Sequence, residues 1–322
     1  MMQLNRCRKE CDMNGSNLRR GTFTILLALC ATPWVGTAQA LVMGIALGLL
    51  QANPWPRQTA RYSKMLLQAS VVGLGFGLSL GEVIQTGKDS IWYSVIGISC
   101  TLLVGYGLGK LFKTGTNTSA LISFGTAICG GSAIAAMAPV LKAKSDETAV
   151  ALATVFTLNS AALLLFPLVG HWLQLDQNTF GVWSGLAIHD TSSVVGATSA
   201  YGATALAIGT TVKLTRAIWI APVVMAASLI KGGEQQARIP LFIIGFLGAA
   251  AIRTLLPSYE HFWGELAGVA KQCLVVTLFL VGAGLSREVV KQVGIRPLVQ
   301  AVSLWVLVSA LTLVALKLPW SA

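Results

Sequence analysis

Residues 123–139 read Ser-Phe-Gly-Thr-Ala-Ile-Cys-Gly-Gly-Ser-Ala-Ile-Ala-Ala-Met-Ala-Pro, and residues 185–202 read Gly-Leu-Ala-Ile-His-Asp-Thr-Ser-Ser-Val-Val-Gly-Ala-Thr-Ser-Ala-Tyr-Gly. Both stretches are dense in Gly, Ala, Ser and Thr, whereas the other long apolar segments are rich in Leu, Ile and Val. One interpretation is close helix–helix packing, which small residues permit. The other is that both helices are interrupted inside a membrane, where freed backbone groups must face protein or a watery cavity.

The composition places the chain in a membrane. Its 322 residues are 54% hydrophobic and 11% charged, and the mean hydropathy is +0.70. Soluble domains are about 25% charged, so a water-facing surface could not be built from so few charges. An ordinary soluble enzyme, a disordered chain and a nucleic-acid-binding domain are thereby excluded. The net charge of +11 lies in short clusters between apolar runs, as in the cytoplasmic loops of membrane proteins. We predict an all-α, polytopic transmembrane helical protein.

The apolar segments predict about eleven membrane segments, since a spanning helix needs about 20 residues. Residues 1–20 are predicted to form a basic cytoplasmic tail, and residues 21–322 a single transmembrane transporter domain. Ala38-Gln39-Ala40 is similar to a signal-peptide cleavage site, but an uncleaved first helix is favoured because the leader carries Glu10 and Asp12. The predicted segments are 22–37, 39–52, 63–82, 91–112, 118–141, 147–173, 180–201, 204–230, 239–256, 264–286 and 297–318.

Charge placement predicts the orientation except in one region. The basic tail should lie in the cytoplasm, and alternation from there satisfies the positive-inside rule at nearly every later loop. Between residues 141 and 180 the charges of Lys142, Lys144, Asp146 and Glu147 cancel. Two alternatives follow: 118–141 and 180–201 either both cross the membrane or both form re-entrant hairpins from opposite faces. Either choice gives the same orientation for the segments that follow.

Interrupted helices would supply a binding site for an anion. Half-helix N-termini carry partial positive charge, and secondary transporters commonly build midplane sites from them. We therefore predict that the two small-residue stretches and the start of the next helix line such a site. The candidate substrate-binding residues are Thr126, Cys129, Gly130, Gly131, Ser132, His189, Asp190, Thr191, Ser192, Ser193, Lys213 and Arg216.

Asp190 is the only charged residue between Asp176 and Lys213, which predicts that it lies inside the bilayer. A carboxylate at that depth is expensive unless it is paired, and it is typical of a functional site. Asp190 either caps the following half-helix or takes part in ion coupling, and both roles are compatible. His189 is the side chain in this region best suited to carry a proton near neutral pH.

Lys213 and Arg216 are three residues apart and so share one helical face. They either extend to the membrane surface, or compensate the charge of a bound anion, or pair with Asp190. For Asn159, which lies in a long uncharged stretch, a hydrogen bond between helices is expected rather than substrate contact.

An internal similarity suggests an inverted repeat. Residues 75–83 read Gly-Phe-Gly-Leu-Ser-Leu-Gly-Glu-Val, and residues 282–289 read Gly-Ala-Gly-Leu-Ser-Arg-Glu-Val. The charge pattern predicts opposite orientations for the two copies, as an inverted-topology repeat would give.

The stretch Ser-Phe-Gly-Thr-Ala-Ile-Cys129-Gly-Gly-Ser132-Ala resembles the SICGxSA signature of the YeiH-type sulfate exporter family. Similar motifs occur in the same order elsewhere and extend the resemblance from about residue 40 to the end of the chain. They are Ala46-Leu-Gly-x-Leu-x-x-Asn53, Phe180-Gly-x-Trp-x-Gly-x-x-Ile-His-Asp190, Val212-Lys-Leu-x-Arg216 and Gly284-Leu-Ser286. The chain departs from the family at Gly77, where many members have Arg, and at Asp190, where Glu is common.

The resemblance implies a multi-pass protein of the bacterial inner membrane that acts as a secondary carrier, with broader relatives among bile-acid/sodium-type and auxin-type carriers. We expect an exporter of a small anion, such as sulfate or a related sulfur oxyanion, working by alternating access. Organic or sulfonate anions are the alternative substrates. An anion channel and a membrane-embedded enzyme using His189-Asp190 are less favoured, since hydrolytic metal sites need several ligands.

The partners expected are the small anion, the lipid bilayer and coupling H⁺ or Na⁺, with no nucleic acid, no cofactor and no metal. A homo-oligomer is compatible with the sequence. No GxxxxGK[ST] motif for ATP binding occurs, so an ion gradient or the gradient of the anion itself would drive transport.

Overall fold

The computed structural model describes residues 18–51, 53–230, 241–284 and 294–317, and within these ranges the regular secondary structure is entirely helical. The predicted all-α polytopic fold is thereby confirmed. The helices are α1 (18–30), α2 (Thr37–Leu50), α3 (Pro56–Gly75), α4 (Leu80–Leu111), α5 (Thr116–Ala127), α6 (Gly131–Met137), α7 (Ser145–Trp172), α8 (Gln177–Ala187), α9 (Thr191–Tyr201), α10 (Ala203–Ile218), α11 (Ile220–Ile230), α12 (Leu241–Leu255), α13 (Glu260–Ala283) and α14 (Ile295–Lys317).

Within the described residues, five stretches are long and apolar enough to cross a membrane: Leu80–Leu111, Ser145–Trp172, Ala203–Ile230, Pro257–Ala283 and Ile295–Lys317. The helix α7 has 28 residues, which corresponds to a length of about 42 Å. This exceeds the hydrocarbon thickness of about 30 Å, so the two ends of α7 serve as markers for the two faces of the protein.

Two long helices begin earlier than the hydropathy predicted, because their first turns are polar. At the start of α4, Ser79 Oγ accepts from the N–H of Glu82 at 3.2 Å, while Glu82 Oε2 accepts from the N–H of Ser79 at 2.8 Å. This capping box satisfies two backbone donors that a helix start otherwise leaves free. In α3, Pro56 occupies the first position, where its fixed φ favours a helix and its missing N–H is not needed.

The first small-residue stretch forms a re-entrant hairpin of α5 and α6. Near the start of α5, Asn117 Nδ2 donates to Glu147 Oε2 in the first turn of α7 at 3.0 Å. A Cβ placed on Gly125, close to the end of α5, would lie 2.9 Å from Ile134 in α6. The chain therefore turns back after α5, and α6 returns toward the N-terminal end of α7. We call α5 and α6 the first hairpin.

The second stretch forms the opposite hairpin, α8 and α9. At the end of α9, Tyr201 Oη donates to the carbonyl oxygen of Leu175, just before α8, at 2.5 Å. The Tyr201 ring also stacks on His171 near the C-terminal end of α7, with centroids 4.4 Å apart. We call α8 and α9 the second hairpin. Of the two alternatives left open by the charges, the structure has the re-entrant one, with hairpins entering from opposite ends of α7.

The remaining described helices divide into two groups. Both hairpins pack with α4, α7, α10 and α14, whereas α13 packs against α2 and α3, with α12 beside α3. Aromatic contacts join the second group, including Phe23 against Phe279 with centroids 5.5 Å apart. The helix α9 lies between the groups, since a Cβ on Gly196 would lie 2.9 Å from Leu278 of α13.

Two predictions fall outside the described residues. Most of the basic tail, residues 1–17, is not described, and neither are residues 285–289 of the second repeat copy. The first copy, Gly75–Val83, joins the end of α3 to the start of α4. The inverted repeat therefore stays a prediction.

Candidate functional site

The two hairpins meet at their tips, Ile128–Gly130 in the first and Ile188–Asp190 in the second. A Cβ placed on Gly130 would lie 3.5 Å from both the Cβ and the main-chain nitrogen of Asp190. Gly130 has a φ of 66° and a ψ of −124°, a conformation that side-chain-bearing residues rarely adopt. The glycine thus permits both the sharp turn and the close approach of the tips.

Lys213 in α10 joins the two tips. Its Nζ donates to the carbonyl oxygen of Ile128 at 3.0 Å and to that of Ile188 at 2.6 Å. Both acceptors follow the last residue of an entering helix, where backbone carbonyls have no partner within the helix and carry partial negative charge. The side chain is 0% exposed, so the ammonium interacts with these dipoles out of water.

Arg216 makes a second bridge one turn further along α10. Its Nε donates to the carbonyl oxygen of Ala127 at 2.7 Å, and its Nη1 donates to that of Leu186. The shared face predicted for Lys213 and Arg216 is confirmed, because each cation contacts both hairpins. Arg216 is 1% exposed. The expectation of extension to the membrane surface is therefore wrong for both residues.

The position of α10 follows from its close packing on α8. A Cβ on Gly181 would lie 3.0 Å from Ile208, and one on Gly185 would lie 2.9 Å from Val212. Small residues on α8 thus let α10 run directly beside it. As a result, Lys213 in α10 lies beside the C-terminal end of α8.

Asp190 caps α9 instead of pairing with Lys213 or Arg216. Its Oδ2 accepts from the N–H of Ser192 at 2.9 Å and also from the Ser192 hydroxyl. The N–H of Asp190 donates to Asn159 Oδ1 of α7 at 3.2 Å. The capping role predicted for Asp190 and the interhelical hydrogen bond predicted for Asn159 are both confirmed. Of the alternatives left open for Lys213 and Arg216, the ion pair with Asp190 is not the one that the described residues form.

Among the residues that the structure describes, several buried polar atoms on the elements around the tips have no hydrogen-bond partner. Asn159 Nδ2, Arg216 Nη2 and Trp305 Nε1 can only donate, and both nitrogens of His189 are also unpartnered. The ring centroids of His189 and Trp305 are 6.4 Å apart. The unpartnered hydroxyls of these elements include those of Thr126, Ser184, Thr210 and Ser309. A buried donor without a partner is costly, so the surplus of donors favours a ligand rich in acceptor oxygens.

The charges at the tips are unbalanced. Lys213 and Arg216 are both buried, and among the described residues Asp190 is the carboxylate at the hairpin tips, near Lys213. Counting side chains, one positive charge is therefore in excess at a place where charge is poorly solvated. In the described part of the chain, no group of three or more His, Cys, Asp or Glu side chains is arranged to hold a metal ion.

The predicted site residues occupy different environments. At the tips lie Cys129, Gly130, His189, Asp190, Lys213 and Arg216, and Thr126 is buried in the last turn of α5. Thr191, Ser192 and Ser193 form the first turn of α9. Whether these residues bind a substrate stays a prediction.

Two residues of the first hairpin face away from the tips. A Cβ on Gly131 would lie 3.0 Å from the ring of Phe156 and 3.5 Å from Leu152, both in α7. Gly131 therefore serves the packing of α6 on α7, and a larger side chain there would not fill the site. Ser132 lies on the exposed face of α6.

Comparison with known proteins identifies the class. The model of the family described as Conserved hypothetical protein 698 matches residues 21–301. A UPF0324 membrane protein of Bdellovibrio bacteriovorus is 49% identical over 316 residues, which cover 96% of this chain and 97% of the relative. UPF0324 membrane proteins of Porphyromonas gingivalis and Vibrio vulnificus are 50% and 46% identical, covering 86% and 92% of this chain, and 86% and 97% of the relatives.

The chain is a multi-pass helical membrane protein. It belongs to the UPF0324 family of membrane proteins, which is the YeiH-type family that its motifs resemble. No solved structure matches the chain.

Proposed function

We propose that the protein is a secondary transporter that exports a small anion, such as sulfate or a related sulfur oxyanion, bound where the hairpin tips meet. The observation that carries this proposal is the pair of buried cations, Lys213 and Arg216, whose hydrogen bonds go to neutral carbonyls of both hairpins. A buried charge is stable only when it is compensated. Asp190 lies near Lys213 without an ion pair, so the two cations outnumber the side-chain negative charge at the tips, and a bound anion would supply the missing charge.

The unpartnered donors match the chemistry of an oxyanion. Arg216 Nη2, Asn159 Nδ2 and Trp305 Nε1 lie on three different helices and offer N–H groups without acceptors. Sulfate and its relatives present several acceptor oxygens, and hydrogen bonds from ionised donors to such oxygens are strong. Organic sulfonates share these oxygens, so they are the alternative substrates.

Alternating access would use the division into two helix groups. Lys213 and Arg216 tie both hairpins to α10, so the hairpins would move together against the group of α2, α3, α12 and α13. Since the hairpins enter from opposite faces, each would expose the site to its own side, as in other transporters with broken helices. The driving force would be the gradient of the anion or of a coupled ion, with His189 as the candidate proton carrier.

The membrane and the orientation follow from the charges. Arg19 and Arg20 precede the apolar part of α1, and Arg57, Arg61 and Lys64 lie in the first half of α3. Clusters of this kind mark cytoplasmic loops. We therefore place the protein in the bacterial plasma membrane with its N-terminus in the cytoplasm.

A thermal-shift screen on detergent-solubilised protein tests the proposal. Sulfate, sulfite, thiosulfate, phosphate and taurine are compared with chloride at equal ionic strength and with one common cation. A ligand of the native state raises Tm by mass action. We expect a saturable rise with at least one oxyanion, its loss in Arg216→Met, and its retention in Arg253→Met, where the changed residue pairs with Glu260 at 3.6 Å, away from the tips.

Counterflow in proteoliposomes then separates a carrier from a pore. An outward gradient of the unlabelled anion should accelerate uptake of the labelled anion, because a carrier returns faster when it is loaded. Uptake without this stimulation would indicate a channel. If no anion raises Tm in the screen, the proposal that an anion binds where the hairpin tips meet is contradicted.

A further inference from the structure

The ammonium of Lys213 lies where two carbonyl oxygens could otherwise coordinate a metal cation. It lies between two carbonyl oxygens, one from the end of each entering helix, at 3.0 and 2.6 Å. Unwound carbonyls and half-helix C-termini are the groups that hold coupling cations in transporters with broken helices. Here those oxygens are already engaged by a side chain of the protein.

The ends of α5 and α8 favour a cation at this point. The C-terminal ends of α5 and α8 each carry a partial negative charge of about half an electron, and they converge where the tips meet. Two such ends repel one another unless positive charge lies between them. Arg216 donates to earlier carbonyls, those of Ala127 and Leu186. Among the described residues, Lys213 is therefore the cation that contacts the final carbonyls, those of Ile128 and Ile188.

We propose that Lys213 is a tethered substitute for a coupling metal cation, so that the protein works without Na⁺, and that removing its side chain creates a Na⁺ site between the hairpin tips. The Na⁺ ion would bind to the carbonyl oxygens of Ile128 and Ile188, with the carboxylate of Asp190 nearby. The inference deepens the proposed transport function and rests on it for the meaning of coupling. The cation site itself involves only a cation and the two hairpins, and it does not depend on the identity of the anion.

The test compares the thermal unfolding of the full chain in NaCl and in choline chloride at equal concentration. The variants are Lys213→Ala, Lys213→Ser and the control Lys110→Ala, which removes an exposed lysine from the last turn of α4. Chloride is the anion throughout, so the comparison does not depend on which anion the protein transports. Choline is too large to enter the space that the lysine side chain leaves.

We expect the wild type and Lys110→Ala to unfold at the same temperature in both salts. Lys213→Ala should unfold at a lower temperature in choline chloride and regain about 3 °C or more in Na⁺, in a saturable manner. Methylammonium should act similarly, because it supplies the missing ammonium. Lys213→Ser, whose hydroxyl adds a further oxygen ligand, should show the same dependence and provides the test if the alanine variant does not fold.

Two results would overturn the inference. Saturable stabilisation of the wild type by Na⁺ would mean that the cation place is not taken by Lys213. Indifference of both Lys213 variants to Na⁺ and methylammonium would mean that no cation place exists. If the cation results hold and no anion binds in the separate screen, the proposed transport function fails while the tethered cation stands.

Discussion

The N–H of Asp190 donates to Asn159 Oδ1 across 3.2 Å, and this bond attaches the tip of the second hairpin to the middle of α7. The acceptor lies in a helix that spans the whole protein, so the tip is fixed to a rigid element. Asn159 also presents an unpartnered Nδ2 toward its buried surroundings. One side chain thus holds the tip and offers a donor.

Replacing Asn159 by Ala should destabilise the protein, because the N–H of Asp190 then loses its acceptor in a buried place. An unsatisfied buried donor costs about 1–3 kcal/mol. The matched control is Thr157→Ala, whose hydroxyl donates only to the carbonyl of Ala153 in its own helix. Tm in detergent measures both variants. An Asn159→Ala protein as stable as the control would show that the tip does not depend on α7.

Replacing Gly130 by Ala should also destabilise the protein, through the backbone. The new Cβ would make ordinary contacts of 3.4 Å with Val155 and 3.5 Å with Asp190, so the cause is not a clash. The φ of 66° with a ψ of −124° is strained for any other residue, and such strain costs about 1–3 kcal/mol.

The control for this glycine is Gly107→Ala in α4, where nothing lies within 4 Å of the added Cβ. We expect its Tm to equal or exceed that of the wild type, since alanine favours a helix. Equal Tm values for the Gly130 variant and the wild type would mean that the tip adopts another conformation.

The sequence locates the two interruptions but not the direction in which the chain leaves them. Gly130 and Asp190 mark the tips because a glycine pair and a capping carboxylate both disrupt a helix at a recognisable position. The return of each hairpin could not be predicted, since the charges of Lys142, Lys144, Asp146 and Glu147 cancel and give no side to the connecting loop.

The polar groups at the hairpin tips were only partly predictable, for a physical reason. Lys213 and Arg216 stand out as charges in an apolar segment, but their acceptors are backbone carbonyls, which every residue possesses. Only the hairpin geometry selects those of Ile128 and Ile188. Trp305 was missed because a tryptophan in a membrane helix is usually an interfacial residue, whereas here its unpartnered N–H is buried.

Asp176 should make the stability of the second hairpin depend on pH. It caps α8, accepting from the N–H of Asn178 at 2.9 Å and from the hydroxyl of Thr179 at 2.6 Å. The hydrogen bonds from the side chain and main chain of Thr179 lower the pKa of this carboxyl from its ordinary value of 3.8. Because the folded pKa is depressed, the stabilisation is present above the unfolded value and is lost as the pH falls through the folded one.

The variant Asp176→Ala should therefore be less stable than the wild type at neutral pH, by the 0.5–2 kcal/mol or so of a typical N-cap. The difference in Tm should shrink as the pH drops below about 4, where the unfolded carboxyl begins to bind its proton. Asp176→Asn should lose little at any pH, because Asn caps helices as well as Asp does. A Tm difference that is constant with pH would exclude the carboxylate as the source.

Arg216→Lys separates the charge of the second bridge from its shape. The lysine keeps the positive charge, but its three N–H donors share one nitrogen, whereas Arg216 contacts Ala127, contacts Leu186 and offers a free donor from three separate nitrogens, Nε, Nη1 and Nη2. The planar guanidinium is suited to such divided contacts and an ammonium is not. If the proposed anion site is correct, we expect a folded protein whose affinity for the anion falls about tenfold or more, equivalent to the loss of about 1.4 kcal/mol. The corresponding change at Arg253, also in an apolar helix, should leave affinity unchanged. Calorimetric titration with the anion identified by the thermal-shift screen measures the affinity of both variants. Full affinity in Arg216→Lys would mean that the net charge of the tips holds the anion and that the free N–H of Arg216 does not.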